Sequence, residues 1–184
     1  MTISHAVLLS IRSPDGSSQA RFEALLAAHR GLVHKVAATY CAHTEDRRDL
    51  IQEIHTQMWR SFGRYDAERP FATWAYRVAL NVAISHVRQA AYRSGRMESY
   101  DAQDTDPVDP GTISTDADDR VRLLYSVVAK LDPFDRALLL LHLEGYRHAE
   151  VADVLGLSAT NVSTRLSRIR AQLQANLTST DPNP

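Results

Sequence analysis

The chain has a single cysteine, Cys41, among 184 residues. No disulfide can form within it, and a reduced compartment suits it. It also lacks a long hydrophobic run. The apolar stretch Ala6 to Leu9 is far too short to span a bilayer and no signal-peptide pattern follows, so the expectation is a cytoplasmic chain without membrane insertion. Phosphate-cradling glycine loops, Cys-x-x-Cys pairs and His-Glu-x-x-His patterns are missing too, which points away from an enzyme and from any cofactor. His29, His34, Cys41 and His43 are the one tempting metal set, and their spacing does not bring all four to one helical face. No segment alternates as a half-buried strand would. Even the positive charge usual in a nucleic-acid binder is absent, the formal net charge being −1.

That neutrality hides segregation. Between Asp101 and Asp119 stand seven aspartates and no Lys or Arg, with Pro107, Pro110 and Gly111 among them. Such a segment repels itself and stays solvated, which predicts a flexible linker. Residues 20–100 hold twelve Arg or Lys against eight Asp or Glu, and residues 120–177 hold eight against five. Two basic modules on an acidic tether follow, and a phosphate backbone meets local charge rather than the sum. Residues 1–19 read as a flexible leader and residues 178–184 as a loose tail.

The remaining pattern is helical, predicting an all-α protein of two small helical domains. Phe22, Leu25, Leu26, Leu32, Val33 and Val36 mark a first helical region, bent near Gly31. His43 to Arg48 reads as a polar turn, Asp49 to Arg60 as a helix, Gly63 to Pro70 as a loop, and Ala72 to Tyr92 as a long helix. Arg120 to Leu131 forms another, followed by a break at Asp132-Pro133, where Asp132 can cap and Pro133 can open a helix. Ala137 to Leu143 is strongly apolar. The second module is small for a core, so modest stability helped by contact with a partner is expected.

The most informative stretch runs from His148 to Arg170. Val151, Ala152, Val154 and Leu155 give one helix an apolar side. Gly156 stands where the chain must leave it, and Ser158 is a natural N-cap for the next. In that second helix Val162, Leu166, Ile169 and Leu173 recur at helical spacing. The other side carries Thr160, Asn161, Thr164, Ser167 and Arg168. Amide, hydroxyl and guanidinium groups on one outward face are the chemistry that reads base edges and phosphates in a major groove. The plainer reading is a helical hairpin with a solvated face.

On the long helix, about 100° per residue brings Trp74, Arg77, Asn81, Ser85 and Arg88 into one stripe. Val78, Ala79, Val82, Ala83 and Val87 lie to the side where a core belongs. An aromatic, two cations and two neutral hydrogen-bonding groups suit unpaired DNA, through stacking and backbone contact. Equally, Trp74 fits a core anchor beside a solvated face.

Asp49-Leu-Ile-Gln-Glu53 with Trp59, then Phe71-Ala-Thr-Trp-Ala-Tyr-Arg-Val-Ala-Leu-Asn81, resembles region 2 of bacterial sigma factors. Leu131-Asp-Pro-Phe-Asp-Arg136, through Glu144-Gly-Tyr146 to Leu173, resembles their region 4. With both in order across residues 20–100 and 120–177, the chain resembles the extracytoplasmic-function subgroup of the sigma-70 family. The resemblance implies a specificity subunit that binds core RNA polymerase and promoter DNA, the alternative being a stand-alone helix-turn-helix regulator of duplex operators. It implies that Asp49, Gln52 and Glu53 face the β′ clamp helices, that the β flap is a further polymerase contact, and that an anti-sigma protein holds the chain in check. Trp74, Arg77, Asn81, Ser85 and Arg88 would open and read the minus-ten element, a flipped base lodging near the Gly63–Pro70 loop and Asn81. Thr160, Asn161, Ser163, Thr164, Arg165 and Arg168 would read the minus-thirty-five element. Ser163 stands where many relatives have a basic residue, Asn161 where they have Thr, and Ser85 where Asp is common. Tyr146-Arg147-His148 lacks the usual Ser cap.

Overall fold

The computed structural model describes residues 18–93 and 128–178. Most of the expected leader, the acidic linker, most of the helix expected from Arg120 and the end of the tail lie outside the described residues. Helix α1 spans Ser18–Ala28, α2 Arg30–Tyr40, α3 Thr44–Ser61 and α4 Phe71–Arg93, with a 3-10 turn at Phe62–Arg64 between the last two. After the linker come α5 at Pro133–Leu143, α6 at His148–Leu155 and α7 at Ala159–Thr178. Among the described residues there is no strand.

The first bend falls at His29 rather than Gly31. His29 leaves helical geometry (φ −119°, ψ 19°), and its Nδ1 contacts the Leu25 carbonyl oxygen at 2.9 Å. The segment His43 to Arg48, expected as a turn, is helical from Thr44 onward. Apolar periodicity could not reveal this turn, because electrostatics supports it. Glu45 and Asp46 lie in the first turn, where free amides favour carboxylates. Arg47 donates back to the Cys41 and Ala42 carbonyls at 3.1–3.3 Å. Leu50, Ile54 and Met58 then bury completely against Val33, Val36 and Ala37.

The inward face of α4 is rotated from the one expected, keeping Ala79 and Ala83 but not the three valines. Ala75, Tyr76, Ala79, Leu80, Ala83 and Ile84 are buried, while Val78, Val82 and Val87 stay half-exposed. The larger apolar surfaces of Tyr76, Leu80 and Ile84 decide the rotation, since transfer free energy scales with area buried.

In the second module Asp132 caps α5, accepting a hydrogen bond from the Phe134 amide at 2.9 Å, with Pro133 opening the helix. Arg136 is buried and donates to the Leu131 carbonyl at 2.9 Å and to the Ala129 carbonyl, tying the preceding turn to α5. The missing Ser cap of α6 has a substitute: the Glu150 carboxylate accepts from the Arg147 backbone amide at 2.8 Å and its guanidinium at 3.1 Å. Gly156 ends α6 with φ +70°, and the Ser158 hydroxyl accepts from the Asn161 amide at 3.2 Å to start α7.

The two modules pack against each other, α2 and α4 of the first against α5 and α6 of the second. The Tyr40 hydroxyl donates to the Pro133 carbonyl at 2.6 Å in a buried contact, and Tyr76 meets Tyr146 edge-on with centroids 5.5 Å apart. Lys35 reaches Glu144 at 2.7 Å, and the Tyr76 hydroxyl donates to the same carboxylate at 3.2 Å. The small second core is thus completed by the chain's own first module.

Candidate nucleic-acid interface

Helix α7 divides cleanly. Val162, Leu166 and Ile169 are buried, while Thr160, Asn161, Ser163, Thr164, Ser167 and Arg168 are exposed on the far side. The cap at Ser158 places Asn161 in the first turn, which in this class of motif enters the groove first. Thr164 donates its hydroxyl proton to the Thr160 carbonyl at 3.0 Å, so its oxygen keeps acceptor capacity. Arg165 sits apart from the others. It pairs with Asp135 of α5 and lies over the Phe134 ring, 5.1 Å from the centroid. The pair is mostly shielded, with side-chain exposures of 31% and 13%, so Arg165 fastens α7 to α5 rather than standing free.

The α4 stripe separates into four environments. The indole of Trp74 is half-buried among Phe62, Tyr65 and Phe71, with centroids 5.2–6.0 Å away. This favours the anchor reading for its ring body. The same aromatic cluster orders the loop before α4, where Tyr65 donates to the Arg69 carbonyl at 2.8 Å and Asp66 accepts from the Glu68 amide at 3.0 Å. Arg77 points to the second module and meets Asp153 of α6, 3.1 Å from its carboxylate. Asn81 and Ser85 line an open groove together with Val78 and Val82. Arg88 is exposed.

The opposite wall of that groove is α3, carrying Asp49, Gln52 and Glu53. The residues singled out for polymerase contact therefore share one groove with two of those singled out for DNA. No residue from Gly63 to Pro70 lines it. Glu53 contacts His86 of α4 at 3.1 Å, whereas Asp49 and Gln52 face outward. Sequence reasoning missed Arg69, Lys35, Glu144 and Asp153, whose partners lie far along the chain. Charge alone marked them, and periodicity cannot pair such residues.

Cys41 is buried, and burial with Asp46 nearby pushes its thiol up to about 11, leaving it protonated and unreactive. Among the described residues no three His, Cys, Asp or Glu side chains form a metal-holding group. No described helix is long and apolar enough to cross a membrane.

A helical bundle followed by a helix-turn-helix whose second helix exposes a polar face is an architecture shared by many DNA-binding proteins. Residues 25–93 match the family described as Sigma-70 region 2, and residues 122–173 match Sigma-70, region 4. The chain is 30% identical over 179 residues to the RNA polymerase sigma factor CnrH of Cupriavidus metallidurans, covering 91% of this chain and 92% of that one. It is 29% identical over 189 residues to the ECF RNA polymerase sigma factor SigG of Mycobacterium tuberculosis, covering 89% of this chain but 50% of SigG. The chain thus spans about half the length of SigG. Two solved structures share the fold. CnrH in complex with the cytosolic domain of CnrY superposes with TM-score 0.66 at 24% identity, over 95% of this chain and 98% of that one. The sigma factor RpoE in complex with the anti-sigma factor NepR from Bartonella quintana gives 0.64 at 17%, over 85% and 96%. The chain belongs to the sigma-70 family of RNA polymerase sigma factors, in its extracytoplasmic-function branch.

Proposed function

We propose that the chain is the specificity subunit of an RNA polymerase in the cytoplasm, directing initiation at a particular set of promoters. The exposed Thr160–Arg168 face of α7, held by the buried row Val162, Leu166 and Ile169, carries this reading. Thr160, Asn161, Ser163, Thr164 and Arg168 read the minus-thirty-five duplex. Asn161 bonds an adenine through its amide, which can meet N6 and N7 together. Arg165 supports them from behind. Arg77, Asn81, Ser85 and Arg88, with the exposed edge of Trp74, hold the minus-ten strand once it opens. Asp49, Gln52 and Glu53 meet the β′ clamp helices, and the second module meets the β flap. Phosphoryl transfer belongs to the core enzyme; this chain supplies binding free energy for melting.

Geometry adds a requirement. Promoter elements about 25 base pairs apart lie about 85 Å apart along duplex DNA. In the closed chain α4 touches α6 directly, so both elements are engaged only after the modules separate. Polymerase docking then fixes the separation and makes the second contact intramolecular. The structural relatives are complexes with the CnrY cytosolic domain and with NepR, which supports an anti-sigma partner for this chain as well.

The deciding test is run-off transcription with purified core polymerase and a host genomic library. Start sites appearing only with this protein establish the reading and deliver the promoter. Tight duplex binding without polymerase, and no new transcripts, replaces it with a stand-alone regulator.

A further inference from the structure

Two arginines from different elements converge on one carboxylate across the module boundary. Arg77 of α4 lies 3.1 Å from one Asp153 oxygen and also donates to the Asp153 backbone carbonyl. Arg69, from the loop before α4, lies 3.7 Å from the other oxygen. The Arg69 backbone is held on both sides, its carbonyl by the Tyr65 hydroxyl and its amide by the Asp66 carbonyl at 3.1 Å. A loop ordered by aromatic packing thus sets one guanidinium beside another at the start of the DNA-facing helix.

Guanidinium pairs that share the two oxygens of a carboxylate present the same geometry and charge to a phosphodiester. Asp153 belongs to the other module, on the first helix of the helix-turn-helix. We infer that Arg69 and Arg77 form one phosphodiester site for the opened promoter strand, and that Asp153 fills it in the closed chain as a stand-in for phosphate. This rests on the sigma-factor reading. All three side chains are about half exposed, at 61%, 41% and 50%, so the contact is weak and readily exchanged. A DNA strand brings a series of phosphates and releases counterions, so it displaces the Asp153 carboxylate, while Asp66 of the same loop stays 3.9 Å from Arg69 in either state. Closure and strand binding then compete for the same two cations, and free protein binds single-stranded DNA a few-fold more weakly without any second protein.

The test uses the full chain and a fluorescent single-stranded oligonucleotide of mixed sequence, about 16 nucleotides long, followed by anisotropy at low salt. Asp153→Asn keeps the side chain's size and removes its charge. It should tighten binding by up to about five-fold, the upper end of what an exposed ion pair commands, and steepen the salt dependence. Adding Arg69→Gln should abolish that gain. Unchanged affinity in Asp153→Asn overturns the inference, as does a double variant that binds like the single one. Glu144→Gln loosens the modules without touching Arg69 or Arg77. If it tightens binding equally and Asp153→Asn adds nothing to it, opening alone is responsible and the stand-in role falls. Run-off transcription in parallel separates the two levels. Wild-type transcripts with unaltered free affinities sink only this inference, whereas no transcripts sink the proposed function beneath it.

Discussion

At the residue scale, neighbouring side chains on α7 have different work. Asn161 is exposed, while Arg165 is pinned between Asp135 and Phe134. Arg165→Ala strands a shielded carboxylate, and a loss of about 1–3 kcal/mol of stability is expected from urea unfolding. Asn161→Ala should leave the unfolding free energy within about 0.5 kcal/mol of wild type, as exposed substitutions do, but change base preference in promoter selection. The reverse pattern would exchange their roles. The Asn161 side was legible from helical spacing; the Arg165 pairing was not, since a residue at the edge of a polar face can turn either way. His55 gives a pH dependence. Burial, with His34 nearby, lowers its pKa below the ordinary 6.5. The unfolded chain therefore binds more protons in that window, and stability falls as pH drops from about 6.5 to the folded value, then levels. Urea midpoints at pH about 7.5 and about 5.5 should show the drop, and His55→Gln should lessen it. An identical drop in both proteins would assign it elsewhere.

At the element scale, helix ends were the most readable features. Asp132-Pro133, Gly156 and Ser158 act through bonds to their immediate neighbours, so local chemistry foretells them. Gly156 is a clean probe because a Cβ there would meet nothing within 4 Å, yet φ is +70°. Gly156→Ala thus suffers only the left-handed backbone penalty, and should destabilise the second module by about 1 kcal/mol. Gly156→Asn should lose less. Thermal melting of the two variants decides it, and equal midpoints for wild type and Ala would show that the turn relaxes. The start of α3 was less readable. Its first turn is polar throughout, and helix there follows from Glu45, Asp46 and the reach of Arg47 rather than from an apolar stripe.

On the scale of the whole molecule, closure combines one buried hydrogen bond, aromatic packing and exposed ion pairs. The Tyr40–Pro133 bond and the Tyr76–Tyr146 contact are shielded, so they carry most of the attraction. The pairs at Glu144 and Asp153 are worth at most about 1 kcal/mol each and chiefly set the register. Glu144→Gln weakens the Lys35 pair and the Tyr76 bond together. Spin labels on α2 and α6 should then report a broader and longer distance distribution, with helix content unchanged. An unaltered distribution would mean that apolar contact alone keeps the modules shut.

Sequence alone determined what depends on near neighbours and on composition. It predicted a helical chain, the helix-turn-helix with its cap and glycine, the outward face of α7 and the segregation of charge. Tertiary structure decided the rest. Which side of α4 turns inward was settled by competition among apolar areas, and Tyr76, Leu80 and Ile84 outweighed the valines. The partners of Arg77, Lys35 and Tyr40 lie 76, 109 and 93 residues away. Contacts at such separation exist only once both modules are folded and docked, so no local pattern announces them.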